Sequence, residues 1–377
     1  MNVAEQIVNQ LVDAGVHRIY GIVGDSLNPI VDAVRKTGGS KKGGIDWIHV
    51  RHEEAAAFAA SAEAQLTGKL AVCAGSCGPG NLHLINGLYD ANRTGAPVLA
   101  IASHIPSVQI GTMYFQETHP DRIFEECSVY NELISSAAQS PRTVNSAIRH
   151  AVGLGGVSVI TLPGDVSDLK AVEHVPTYAP ARPATLAPNA TDIEEAAALL
   201  NKADKVAIFA GAGVEGAHDE VIALADALKA PIGHSLRGKH FIQYDNPFDV
   251  GMTGLLGYGA AAEGMNDADV LILLGTDFPY DQFLPSTPTI QVDTHAEKLG
   301  RRTDVGLAIH AQVKPFIEAL LPHLRANRSD SFLKSKIKKH SEIMHAPVGA
   351  YTRNVEKMRP IHPEYAAHLL NETAAKD

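Results

Sequence analysis

The chain has 377 residues, enough for two ordinary domains and a remainder at roughly 100–200 residues per domain. Hydrophobic residues make up 45% and charged residues 20%, the balance of a folded globular protein rather than a disordered one. The formal net charge of −10, from 32 basic and 42 acidic residues, excludes the basic footprint of a general nucleic-acid binder.

Residues 3–12 carry Val3, Ile7, Val8 and Leu11 at helical spacing and predict an amphipathic helix. The segment has neither the basic region nor the cleavage site of a signal peptide, and no apolar run in the chain reaches the roughly 18–20 residues a membrane span requires. A cytoplasmic location is the expectation. Cys73, Cys77 and Cys127 are odd in number. The spacing Cys73-x3-Cys77 matches neither a zinc knuckle nor a Cys-x-x-Cys pair, so they read as small buried residues in a reducing compartment.

Short apolar strands then alternate with helical patterns. Strands are predicted at residues 18–23, 47–50, 70–74, 98–103 and 157–162, rich in Val, Ile and Ala and bounded by Gly or polar residues, as buried parallel strands are. Helices are predicted at 27–35, 53–67, 81–92 and 142–153, with Pro141 in a first turn. Residues 171–190 break this texture. Their segment VPTYAPARPATLAPNA holds four prolines and reads as a semi-rigid linker.

The alternation resumes with a helix at 192–202, capped by Thr191 with Glu194 three residues on. Strands follow at 206–210, 270–274, 289–292 and 305–309, and helices at 218–229 and 314–324. Two successive β-α arrays predict an α/β protein with two doubly wound parallel-sheet domains. The organisation expected is a first domain over 1–175, a linker over 176–190, a second domain over 191–325, and a connector with the start of a further domain over 326–377. Residues 325–340, with Lys334, Lys336, Lys338 and Lys339, read as a solvated connecting helix, and Pro363 opens a last helix.

Two motifs in the first half carry chemistry. Arg51-His52-Glu53-Glu54 follows a strand, where open α/β sheets bind ligands, although acidic residues also suit a helix first turn for its dipole alone. Gly75-Ser76-Cys77-Gly78-Pro79-Gly80-Asn81 joins a strand to a helix and permits close ligand approach, or serves only as a tight connection. In the second half, Gly211-Ala212-Gly213 opens a turn after a strand. Three further segments close strands or open helices: 234–239, 251–256 and 275–280. Asp293 ends another strand, placed to accept from a ribose or adenine edge.

The run RHEEAAAFAASAEAQLTGKLAVCAGSCGPGNLHLINGLYDANR, with HIPS, YFQETHP and VSVITLPGD following in order, resembles the pyrimidine-binding domain of thiamine-diphosphate enzymes. The likeness is greatest to pyruvate oxidases and pyruvate:quinone dehydrogenases. Acetolactate synthases share the glutamate and the Gly-Pro-Gly but look less alike at YFQETHP.

The resemblance implies that Glu53 hydrogen-bonds N1′ of the cofactor aminopyrimidine and promotes the tautomer that takes the proton from thiazolium C2. It implies that Pro79, Gly80 and Asn81 border the pyrimidine and that Phe115 and Gln116 face the reacting centre. In a Rossmann-like middle domain, Arg237, Thr253, Gly254, Leu255, Leu256, Thr276, Asp277, Phe278, Pro279, Tyr280 and Asp293 would hold FAD. Some relatives keep this domain without flavin.

The implied activity is oxidative decarboxylation of pyruvate, with electrons passed to a quinone or oxygen, in a homo-oligomer, expected to be a tetramer. Acetolactate synthesis, or a flavin-binding remnant without catalysis, are the alternatives. The family's diphosphate and Mg²⁺ element, a Gly-Asp-Gly followed by asparagines, has no counterpart here. Gly24-Asp25-Ser26 and Gly164-Asp165-Val166 lack suitable asparagines downstream, so the magnesium site is expected in a missing third domain, and no residue of this chain is assigned to it. Any peripheral contact with the inner face of the membrane would come from that missing region.

Overall fold

Runs of alanine, valine and isoleucine become the central strands of two sheets in the computed structural model, which describes residues 1–173, 179, 184–326 and 328–374. The chain divides into two units, Met1–Arg182 and Pro183–Asp377. Of the expected linker over 176–190, residues 176–178 and 180–183 lie outside the described residues, 184–189 form no regular element, and Ala190 already opens a helix.

The first unit holds β1 (Arg18–Gly21), β2 (Asp46–His49), β3 (Ala71–Gly75), β4 (Val98–His104), β5 (Tyr130–Leu133) and β6 (Val157–Pro163). They pair in the order β2-β1-β3-β4-β6-β5, all parallel. Every residue of β3, β4 and β6 is buried, because helices cover both faces.

The two-residue period of a strand splits the core into two layers. Val72, Ala74, Leu99, Ile101, Ile160 and Leu162 meet helices Val3–Asp13, Asn28–Lys36 and Ser140–Leu154. Ala71, Cys73, Val98, Ala100, Val157 and Val159 meet helices Glu53–Thr67 and Pro79–Thr94. All three cysteines are free and buried, and burial pushes the Cys73 thiol up to about 12.

Helices Glu53–Thr67 and Pro79–Thr94 approach at small residues, Ala56, Ala57 and Ala60 on one and Gly87 on the other. A Cβ at Gly87 would stand 2.5 Å from Ala57 Cβ and 2.6 Å from the Phe58 nitrogen. Backbone cannot yield there as a side-chain tip would. Gly87→Ala is therefore expected to lower stability by about 1–3 kcal/mol through overpacking. That outweighs the roughly 1 kcal/mol gained in helix propensity. Denaturant unfolding checks it, and an unchanged or raised midpoint would contradict the close approach.

The second unit holds β7 (Val206–Ala210), β8 (Ile232–His234), β9 (Asp249–Met252), β10 (Tyr258–Gly259), β11 (Val270–Leu274), β12 (Thr289–Asp293) and β13 (Leu307–His310). Their order is β10-β9-β8-β7-β11-β12-β13, parallel except for β10, which runs antiparallel to β9 at the edge. Val206, Ile208 and Ala210 face helices Ala190–Lys202, His218–Leu228 and Val313–Leu320, while Ala207, Phe209, Leu271 and Leu273 face Met265, Phe278 and Phe332.

The α/β class with two parallel-dominated sheets agrees with expectation, with local corrections. β5, β8, β9 and β10 had no clear signal. β5 is a half-exposed edge strand, β8 has three residues, and β9 and β10 are short and glycine-containing. Thr191 does not cap its helix. The helix begins at Ala190, and its N-cap Asn189 makes no side-chain cap bond, its amide donating instead to Asp192 at 3.1 Å.

The basic segment is not simply a solvated helix. In Ser331–Ile343, Phe332 and Leu333 are buried, and Lys336 is only 5% exposed with its Nζ on Glu263 and Asp267. Helix Pro363–Thr373 starts at the expected proline. Among the described residues, no helix is long and apolar enough to cross a membrane.

Candidate functional site

In the first sheet the chain winds from β1 outward to β2 and then returns to the other side of β1 with β3. The carboxyl ends of β1 and β3 therefore border the crevice where open α/β sheets bind ligands. Turns at this edge interlock. The Ser26 hydroxyl lies 2.9 Å from Ser76 Oγ and 2.5 Å from Ser103 Oγ, and it accepts from the Cys77 amide at 3.1 Å. Asn81 is fully buried and donates to the Ser103 carbonyl at 2.7 Å, leaving its Oδ1 buried and unpaired.

The Gly75–Gly80 turn is crowded enough to require glycine. A Cβ at Gly75 would stand 2.7 Å from the Gly80 carbonyl oxygen. Gly78 has φ +69° and sits against Gln116.

Glu53 is the first residue of its helix, immediately after β2 and the loop through His52. Its side chain is 11% exposed, at a helix start whose free amides favour an anion. Nδ1 of His83, from helix Pro79–Thr94, donates to Oε2 at 3.0 Å in the tautomer this contact requires. The other oxygen lies over the glycine turn, where a Cβ at Gly80 would stand 3.3 Å from Oε1. Glu54 diverges outward and accepts from the Asn86 amide at 2.6 Å. His52 caps the helix through Nδ1, and its ring stacks on His83 with centroids 4.4 Å apart.

Phe115 and Gln116 lie in the loop after β4. Gln116 adopts φ +63° and accepts from the Cys77 thiol at 3.4 Å, whereas Phe115 is 77% exposed. With Ser26, Cys77, His104 and Asp165 they line a cavity of about 600 Å³. Sequence reasoning missed His104 and His83. His104 ends β4 almost wholly buried, with an unpaired Nδ1, and burial holds its pKa below the usual imidazole range. Its position at a strand end was the available signal. His83, mid-helix and half exposed, had none.

In the second sheet, winding reverses between β7 and β11. The segments expected to hold a flavin all fall at this sheet's carboxyl edge: Gly211–Gly213 after β7, Arg237 after β8, Thr253–Leu256 after β9, Thr276–Tyr280 after β11, and Asp293 ending β12. Their side chains differ in availability. Thr253 and Thr276 are buried, Arg237, Leu255, Leu256 and Pro279 are exposed, and Gly254 has φ +115° against the Phe278 ring.

Phe278 packs edge-on against both Phe209 and Tyr280. Asp277 accepts from Arg301 and, at 3.3 Å, from Arg302, and Asp293 accepts from the His295 amide at 2.9 Å. Gly211 and Gly213 press on Gly275, where a Cβ at either would meet backbone within 2.6 Å, so this loop is first a packing device.

Two doubly wound units, one presenting a buried carboxylate over a glycine turn, have the form of paired ligand-binding α/β domains. Residues 1–123 match the N-terminal TPP-binding domain of thiamine pyrophosphate enzymes, and residues 193–320 match their central domain. The chain belongs to the thiamine pyrophosphate enzyme family.

It is 54% identical over 334 residues to an uncharacterised 42.6 kDa protein from the isoamylase 3′ region of Pseudomonas amyloderamosa, covering 88% of this chain and 83% of that one. It is 30% identical to the pyruvate oxidase of Lactiplantibacillus plantarum, over 88% of this chain and 55% of the relative. It is 31% identical to the acetolactate synthase isozyme 1 large subunit of Escherichia coli K12, over 86% of this chain and 58% of the relative. The chain thus spans little more than half the length of these two enzymes.

Proposed function

We propose that the chain supplies the aminopyrimidine-binding and flavin-binding parts of an enzyme that oxidatively decarboxylates pyruvate and passes electrons through FAD to a quinone or oxygen. The observation that carries this reading is Glu53, buried at a helix start with Oε2 held by His83 and Oε1 over the Gly80 turn. Thiamine diphosphate, when bound, supplies the carbon nucleophile for the keto group and a sink for the electron pair left by CO₂. Glu53 then holds and shifts a proton at N1′, the task for which a partly desolvated carboxyl is suited.

Pro79, Gly80 and Asn81 border the pyrimidine. The buried, unpaired Oδ1 of Asn81 and the gap that a Cβ at Gly80 would narrow fit such a group. Phe115 and Gln116 wall the reacting centre. Arg237, Thr253–Leu256, Thr276–Tyr280 and Asp293 hold the flavin, their common place at the second sheet's switch edge supporting this role. Mg²⁺ and the diphosphate are held by residues outside these sets.

Closed homo-oligomers, up to a tetramer, follow from the same reading. Phe58, Leu66 and Leu82 stay exposed on the two helices that carry Glu53 and His83, an apolar face suited to a partner. The enzyme works in the cytoplasm, with any membrane contact made by segments outside this chain. A second reading, condensation of two pyruvates to acetolactate, is favoured by the synthase relative at 31% identity. Product analysis with pyruvate and a quinone, on this chain completed by a diphosphate-binding domain, separates the two. Acetate with a reduced acceptor is expected, and acetolactate without acetate would overturn the oxidative reading.

A further inference from the structure

We propose that His52, Glu53 and His83 form a binding site for a borderline divalent transition metal of the Zn²⁺ class. This goes beyond the reaction above and does not depend on it. One ligand-capable atom from each residue lies within 4.8 Å of the other two, and His83 Nδ1 is already 3.0 Å from Glu53 Oε2.

Two imidazole nitrogens and one carboxylate oxygen are a set that Zn²⁺ takes, leaving a fourth position for water. Mg²⁺ favours oxygen ligands and is disfavoured by the same set.

The scaffold is rigid where it must be and adjustable where it can be. The two helices supplying the ligands are locked at Gly87 and Ala57. The imidazoles of His52 and His83 are 51% and 46% exposed, so their rings can turn. Tetrahedral ligands about 2.1 Å from zinc stand roughly 3.4 Å apart, so the three atoms, now within 4.8 Å of one another, need only a small closing movement. His52 would exchange its 3.2 Å cap bond from the Glu54 amide for a metal bond. Glu54 does not compete, because Asn86 holds its carboxylate at 2.6 Å.

Glu53 provides the anchor, a carboxyl group only 11% exposed with His83 Nδ1 3.0 Å from its Oε2. A dication there would occupy the carboxylate that the proposed reaction needs.

The test uses the metal-free full chain, titrated with ZnCl₂ by calorimetry and with CoCl₂ by visible absorption. Wild type is expected to bind one equivalent at this site, with Co²⁺ bands of low-coordinate character. Losing even an outer partner costs about 10–100-fold in metal affinity, so loss of a ligand should cost at least tenfold.

H52N keeps a side chain that caps helices well, and H83Q keeps a hydrogen-bond donor to Glu53, so both variants remain folded while losing an imidazole. Each is expected to weaken zinc binding by that factor and to remove the Co²⁺ bands. H49Q, at an exposed histidine of β2 outside the cluster, leaves both unchanged. Zinc bound equally by wild type and the H52N/H83Q double variant would overturn the proposal, as would failure of wild type to bind a stoichiometric equivalent.

Discussion

Glu53→Gln is expected to slow cofactor activation by about 10²–10⁴-fold while leaving the fold intact, in an enzyme where this chain is completed by a diphosphate-binding domain. Glutamine has the same shape and still accepts from His83, whose Nδ1 lies 3.0 Å from the present carboxylate. The helix start loses a favourable negative charge, worth roughly 0.3–1 kcal/mol. The rate loss corresponds to about 3–5 kcal/mol at 1.36 kcal/mol per decade. The chemical effect therefore exceeds the structural one severalfold, and the two can be read separately. Deuterium exchange at the cofactor C2 measures the first and denaturant unfolding the second. Near-normal exchange in the variant would remove Glu53 from the mechanism.

Residues 1–377 alone are expected to form a weak complex with FAD, to show no thiamine-diphosphate affinity at about micromolar levels, and to turn over no pyruvate. A diphosphate needs a metal or a cradle of helix-start amides. The carboxylates of the two Gly-Asp turns already accept local hydrogen bonds. Asp165 accepts from the Ser107 amide at 2.8 Å and from its hydroxyl, and Asp25 accepts from the Ser26 amide at 2.9 Å. Contacts around Glu53 hold only the aminopyrimidine end, so the charged end would remain unanchored. The flavin-matching residues instead fall within one unit, around the edge where its winding reverses. Flavin fluorescence titration and calorimetry with Mg²⁺ and thiamine diphosphate check both halves. Tight magnesium-dependent binding by this chain would overturn the division of the cofactor between segments.

The strands that could be read from sequence are those buried on both faces. β3, β4, β6, β7 and β11 are short runs of aliphatic residues because helices cover each side, and composition alone reports that environment. Edge strands such as β5 and β10 carry no such signature, being half exposed. Thr191 failed as a cap because cap formation depends on where the chain enters the helix, and the helix starts two residues earlier than expected, with Asn189 at the cap position.

By itself the sequence determined the β-α alternation, the placing of Glu53 just beyond a strand, and the glycine turn that must sit near it. These depend on residue type and on neighbours a few positions away. Only the tertiary structure decided that His83 holds one oxygen of Glu53, that His52 stacks on His83, and that His104 ends in a cavity wall with an unpaired nitrogen. Glu53 and His83 lie 30 residues apart on different helices. Their meeting depends on how closely Gly87 lets those helices pack, a distance that no local pattern of residues encodes.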